Sequence, residues 1–211
     1  MRSTRSLAVG VTLALAACAP DLPTGPASSA APAGLGAVAA AAPPPVCIEF
    51  GPPPPLGTTW GVPTATPPGS WILTENGVPM WIDRLFLPGG VTVYNFARIG
   101  ISPVPIGAGQ QMLLDRSSLR FDFSNVGFPV SAVTWEWFDP GTSTIENMAV
   151  NGGARFIGDI TAPAFVSGHP YGATWAAAGG GRRGRSKVGG PVRTLLVGGQ
   201  QLWIDRVCAH P

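Results

Sequence analysis

The chain has 211 residues, enough for one domain plus flanking segments. Charged residues are only 11% and the formal net charge is +2, which excludes a broadly basic nucleic-acid binder. Hydrophobic residues reach 45%, so the chain is not disordered throughout, and 29 glycines and 24 prolines exclude helices of ordinary length.

Residues 1–17 open with Met1-Arg2-Ser3-Thr4-Arg5 and continue as an apolar run from Leu7 to Ala17. A positive start before a short apolar run is the pattern of an export signal, and the run is too short for a mature membrane-spanning helix. Leu15-Ala16-Ala17-Cys18 resembles the lipobox of bacterial lipoprotein precursors. The resemblance implies cleavage before Cys18 and lipid on its sulfur, a two-signal membrane anchor. The other reading is an ordinary secretory signal cut near Ala19. Loss of residues 1–17 removes Arg2 and Arg5 from the 13 basic residues and none of the 11 acids, leaving equal numbers of each. No global attraction to nucleic acid or to an anionic membrane follows.

Residues 18–45 are mostly Ala, Pro, Gly and Ser, with Asp21 as the one charge. They bury too little apolar surface to order themselves and read as a disordered, lipidated tether. The domain is placed at 46–211. Strands are predicted at Val46–Phe50, Trp71–Thr74, Val78–Leu87, Val91–Ile99, Gln111–Leu114, Leu119–Phe123, Ala132–Phe138, Thr144–Val150, Ala154–Ile160, Thr174–Ala177 and Val192–Val207, the last broken near Gly198-Gly199. Asn76-Gly77, Asp139-Pro140-Gly141 and Asn151-Gly152-Gly153 are turn signals between them. Many short strands at this spacing predict an all-β antiparallel sandwich or barrel. In two strands the faces can be assigned. Val133, Trp135 and Trp137 oppose Thr134, Glu136 and Phe138, and Leu119, Phe121 and Phe123 oppose Arg120 and Asp122.

An apolar triplet before Asp-Arg recurs three times: Met80-Trp81-Ile82-Asp83-Arg84, Met112-Leu113-Leu114-Asp115-Arg116 and Leu202-Trp203-Ile204-Asp205-Arg206. The last copy leads to Cys208. With Cys18 assigned to lipid, Cys47 and Cys208 remain to pair, in an exported chain that meets an oxidising compartment. The alternative is two free buried thiols. If Trp203 and Val207 face the core, strict alternation puts Asp205 there too.

Cys47-Ile48-Glu49-Phe50, Gly57-Thr58-Thr59-Trp60-Gly61 and Val197-Gly198-Gly199-Gln200-Gln201-Leu202-Trp203-Ile204-Asp205-Arg206-Val207-Cys208 resemble a group of bacterial secreted proteins. These begin with Cys-x-Asp/Glu-Phe and end with Gly-Gly-Gln-Glu-Leu-Trp-Ile-Asp-Asn-x-Cys. Gln201 and Arg206 depart from that pattern. The framework also resembles jelly-roll carbohydrate-binding modules of the galactose-binding type. That resemblance implies a jelly-roll-like sandwich and allows a calcium ion shared by Glu49 and Asp205.

Residues for catalysis are sparse. His169 and His210 are the two histidines, and no Gly-x-Ser-x-Gly elbow is present. Glu136, Asp139 and Glu146 are the carboxylates for a glycosidase reading, but Glu136 reads as a wet-face residue and Asp139 as a turn-former. The basic run Arg182-Arg183-Gly184-Arg185-Ser186-Lys187 reads as a solvated loop, or as a contact with an anionic surface such as a phosphorylated glycan. Trp60 beside Gly61, Tyr171 between Pro170 and Gly172, and Trp175 three residues after Gly172 read as loop aromatics on which a sugar ring stacks. The expectation is a non-catalytic, lipid-anchored binding domain of the bacterial envelope, for carbohydrate or another extracellular polymer. The alternatives are a structural envelope lipoprotein and, third, a glycoside hydrolase.

Overall fold

The computed structural model describes residues 41–141 and 145–211. The signal segment, Cys18, the tether up to residue 40 and Thr144 lie outside the described residues. Among these, the first half of the chain forms β1 (Val46–Ile48), β2 (Thr59–Gly61), β3 (Trp71–Glu75), β4 (Val78–Phe86), β5 (Thr92–Val93), β6 (Phe96–Gly100), β7 (Gln111–Asp115) and β8 (Ser117–Asp122). The second half forms β9 (Ala132–Asp139), β10 (Glu146–Val150), β11 (Phe156–Gly158), β12 (Phe165–Val166), β13 (His169–Ala178), β14 (Gly181–Gly189), β15 (Thr194–Gly199) and β16 (Leu202–His210).

Two antiparallel sheets result. Sheet A runs β12-β13-β14-β9-β16-β7-β6-β2, with β1 also on β16, and sheet B runs β11-β10-β15-β8-β4-β3. The neighbours β7-β16-β9-β14 in one sheet and β8-β15-β10-β11 in the other, with the chain passing between sheets, form the double Greek key of a jelly roll. The fold is therefore an antiparallel β-sandwich. Its core fills the space between the sheets with Trp135, Trp137, Val133 and Ile204 from sheet A against Leu119, Phe121, Met80 and Val197 from sheet B. Both face assignments made from the sequence hold: Trp135 and Trp137 are buried there, as are Leu119, Phe121 and Phe123.

Cys47 and Cys208 are bridged, with Cα atoms 4.0 Å apart. They are register partners in the β1–β16 pair, where directly opposed residues approach most closely. Asn76 and Gly77, both with positive φ, turn β3 into β4 as their dipeptide predicts.

Two expectations are corrected. The basic run is the strand β14, not a loop. It pairs with β13 from Tyr171↔Val188 to Ala178↔Gly181, so Gly179 and Gly180 form a two-residue hairpin with φ of 54° and 80°. Long pairing on both sides, to β13 and to β9, outweighs the low strand propensity of Arg and Gly.

The second correction concerns β16. Ile204 and Val207 face the core, while Trp203 and Asp205 face outward with Glu136 and Phe138. The register with β9 shifts between Asp205 and Cys208, and Arg206 has φ 45°. This bulge inserts one residue and reverses the parity, so Trp203 and Val207 do not share a face. The bulge lies where β7 ends and β1 begins as the neighbour of β16.

Candidate functional site

The outer face of sheet A divides into a covered half and an open half. Covering one half is the segment 101–110, a strap between β6 and β7 with no strand of its own. In Ser102-Pro103-Val104-Pro105-Ile106 buried and exposed residues alternate, and the prolines point out. Val104 and Ile106 pack on Phe138 and Trp203 as a second, smaller apolar cluster. Gln111 ties the strap down from below. Its Oε1 accepts the Ser102 amide at 2.8 Å, and its Nε2 donates to Ile106 O at 3.1 Å and Gly109 O at 2.8 Å. The alternation around Pro103 and Pro105 is a signal for this strap that strand patterns alone do not use.

At the strap's end three acids meet Arg206. Asp205 stands opposite Glu136 across the β16–β9 pair. Glu136 Oε2 accepts the Gly107 amide at 2.8 Å, and Asp205 Oδ2 accepts the Ala108 amide at 3.2 Å. Arg206 reaches Glu49 at 3.5 Å and Glu136 at 3.4 Å. Asp205 is 0% exposed, and burial pushes its carboxyl up to about 7. The charges of Glu49 and Glu136 add to the rise, while the amides of Arg206 and Ala108 oppose it. These residues do not suit a calcium ion shared by Glu49 and Asp205. The guanidinium of Arg206 supplies the positive charge beside Glu49, and both Asp205 oxygens already accept amides. Among the described residues no group of three or more His, Cys, Asp or Glu is arranged to hold a metal.

The open half lies over β13, β14, β9 and the end of β16. One groove of about 360 Å³ is lined by Pro105 and Ile106 of the strap, Glu136, Thr174, Trp175, Arg183 and Arg185. A second, of about 700 Å³, is lined by Thr134, Gly172, Thr174, Arg185, Lys187 and His210. Thr174 and Arg185 belong to both, so the grooves adjoin.

Alternation along β14 sorts its charges. Arg182, Gly184, Ser186 and Val188 point inward; Arg183, Arg185 and Lys187 point outward and are exposed. Arg182 is consumed by the fold, with Asp139 at 2.7 Å and Asp159 at 2.8 Å. Gly184 is small because a Cβ there would meet the Thr174 carbonyl and the Trp137 ring, both at 2.5 Å. Ser186 accepts from Trp137 Nε1 at 2.9 Å. Among the described residues Arg183, Arg185 and Lys187 have no ion-pair partner. Arg185 donates to Thr134 Oγ1 at 3.3 Å, which also lies 3.0 Å from His210 Nε2. His210 is held below its usual pKa by burial, then by the charges of Arg185 and Lys187.

The three aromatics expected to bind sugar do not form one site. Tyr171 is 8% exposed on β13, not on a loop, and its ring lies 6.0 Å from that of Trp135. Its hydroxyl donates to Ile160 O at 2.7 Å and meets Ser186 Oγ at 2.6 Å, so it offers no face to a ligand. Burial raises its pKa. Trp60 is half-buried on β2 and packs against the core. Six strand spacings separate β2 from β13, roughly 29 Å. Trp175 is 53% exposed, but its parity is that of Arg182, whose guanidinium sits 5.6 Å from the centre of its ring. Trp175 nonetheless borders the smaller groove, beside Thr174 and Arg183.

The other chemistry-bearing residues are also committed elsewhere. His169 faces Gly189 O at 3.1 Å and Asn151 at 3.4 Å, with no carboxylate to orient it among the described residues. Asp139 and Glu146 are buried, and burial, then Asp139, pushes the Glu146 carboxyl up to about 8. Comparison with known proteins gives no match to any family model, curated protein or solved structure.

Proposed function

We propose that the chain is a non-catalytic, lipid-anchored domain of the bacterial envelope that binds an extracellular polymer, of the carbohydrate class, across the outer face of sheet A. The observation that carries this reading is the pair of adjoining open grooves over β13, β14 and β9. Its polar side chains, Thr174, Arg183, Arg185 and Lys187, are exposed rather than consumed by the fold. A groove crossing several strands suits an extended chain better than a small compact ligand. The anchor rests on Leu15-Ala16-Ala17-Cys18, and intact mass of the exported protein checks lipid on Cys18. Many tethered copies acting on one polymer raise the effective affinity of individually weak contacts.

The test is a polysaccharide panel with the full chain carrying Cys18→Ser, exported and oxidised. Thr174→Trp fills the junction of the two grooves without altering charge. Binding to at least one polysaccharide, weakened about tenfold or more by Thr174→Trp, is expected. No bound polysaccharide, or binding indifferent to the variant, shifts the assignment to a structural envelope lipoprotein.

A further inference from the structure

We propose that the polymer recognised at the outer face of sheet A is polyanionic, an acidic polysaccharide whose repeated negative groups bind the row Arg183, Arg185 and Lys187. This rests on the polymer-binding reading and names its ligand class.

The argument begins with alternation. Residues two apart on a strand project from one face about 6.7 Å from each other, so the three cations form a straight row of roughly 13 Å. A row of like charges on one strand disfavours folding unless something compensates it. The neighbouring strands supply little. The register partners on β9 are Phe138 for Arg183, Glu136 for Arg185 and Thr134 for Lys187. Glu136 is the one acid among them, and it is turned toward Arg206 and the Gly107 amide. On the other side of β14, Arg183 and Arg185 pair in register with Ala176 and Thr174, and Lys187 with Gly172. Among the described residues the row therefore forms no ion pair, and it lies beside an open groove.

Five other basic side chains of the domain are engaged by acids or rings, while Arg84, Arg116 and Arg193 lie singly on separate segments. Arg182 and Arg206 bind acids, while Arg98, Arg120 and Arg155 lie over Phe96, Trp81 and Phe86. At that end of the groove burial, then the charges of Arg185 and Lys187, holds His210 below its usual pKa. Few aromatics offer a stacking platform at this face: Phe138 and Trp203 are buried under the strap, and Trp175 at the edge of the smaller groove has the Arg182 guanidinium 5.6 Å from its ring centre. Neutral sugars rely on such platforms, whereas carboxylate, sulfate or phosphate groups are held by charge-assisted hydrogen bonds from Arg and Lys.

The test uses the same full chain with Cys18→Ser. The probes are polygalacturonate, dextran sulfate, polyphosphate, neutral dextran, and vesicles of phosphatidylglycerol. Binding is expected to one or both acidic polysaccharides, with the preferred probe identifying carboxylate or sulfate. Added salt weakens it, and neutral dextran does not compete. The variant Arg183→Gln/Arg185→Gln/Lys187→Gln loses about tenfold or more. Arg120→Gln, on the opposite sheet, binds as the parent does. Preference for neutral dextran, or undiminished binding by the triple variant, overturns the polyanion assignment while leaving polymer binding intact. Binding to polyphosphate alone, or to vesicles alone, overturns it in favour of another anionic partner. If no polysaccharide binds, both readings fall together, and Thr174→Trp then has no effect to report.

Discussion

Asp205 and Glu136 stand directly opposite each other across the β16–β9 pair, and each accepts the amide of one of two successive strap residues, Ala108 and Gly107. The strap is thus fastened by a carboxylate pair whose like charges oppose each other. Arg206, within reach of Glu136, partly offsets that repulsion.

The first consequence is a pH dependence of stability. Asp205 titrates near 7 in the fold against an ordinary carboxylate value of 3.8, and Glu146 near 8 against 4.5. Between those limits the folded chain holds protons that the unfolded chain has released. Stability therefore falls as pH rises through the window from about 4 to 8. Thermal unfolding of the parent is expected at lower temperature at pH 8 than at pH 5.5. Asp205→Asn flattens the part of that dependence below pH 7. A variant whose slope matches the parent's would remove Asp205 from this account.

The second concerns Gln111. Its side chain replaces the strand partners that the strap lacks, serving Ser102, Ile106 and Gly109. Gln111→Ala leaves the buried Ser102 amide and the buried Ile106 carbonyl unmet, at about 2–3 kcal/mol. Denaturant titration measures the loss. Hydrogen exchange locates it, with the Ser102 amide losing protection before the amides of β9. Loss spread evenly over both sheets would contradict a local tether.

Gly107 offers an independent check on the same fastening. It has φ 56°, and a Cβ there would strike the Asp205 carboxylate. Gly107→Ala combines backbone strain with that collision and is expected to destabilise the fold by about 1–3 kcal/mol. A variant as stable as the parent would show that the strap shifts freely.

The bridge Cys47–Cys208 spans 161 residues of sequence. Removing it with Cys47→Ala/Cys208→Ala frees the unfolded chain and costs about 2–5 kcal/mol. Comparison of denaturant midpoints checks this, and an unchanged midpoint would show that β1 adds nothing through its staple.

Calcium provides the last test. With Arg206 beside Glu49 and Glu136, the melting temperature is expected to be the same in chelator and in added calcium. A rise on adding calcium that Glu49→Gln abolishes would restore the metal reading.

Much of the sandwich is legible from the sequence. Alternation in 119–123 and 132–138 identifies the inward faces of β8 and β9, because burial between two sheets demands a period of two. The turn at Asn76-Gly77 and the pairing of the two domain cysteines are likewise local or arithmetic facts. What the sequence leaves open is set by contacts between distant segments. The bulge at Arg206 reverses the parity of β16, and nothing within Trp203-Ile204-Asp205-Arg206-Val207 announces it. Its position depends on where β7 gives way to β1 as a neighbour. The basic run is a strand because β13 and β9 supply its hydrogen bonds. Tyr171 is buried because Ile160 O and Ser186 Oγ, brought close only by the fold, satisfy its hydroxyl. The open face that holds Arg183, Arg185 and Lys187 also exists only in three dimensions. A strand's own sequence specifies which residues share a face, but only tertiary packing decides whether that face is covered, as under the strap, or left open to water.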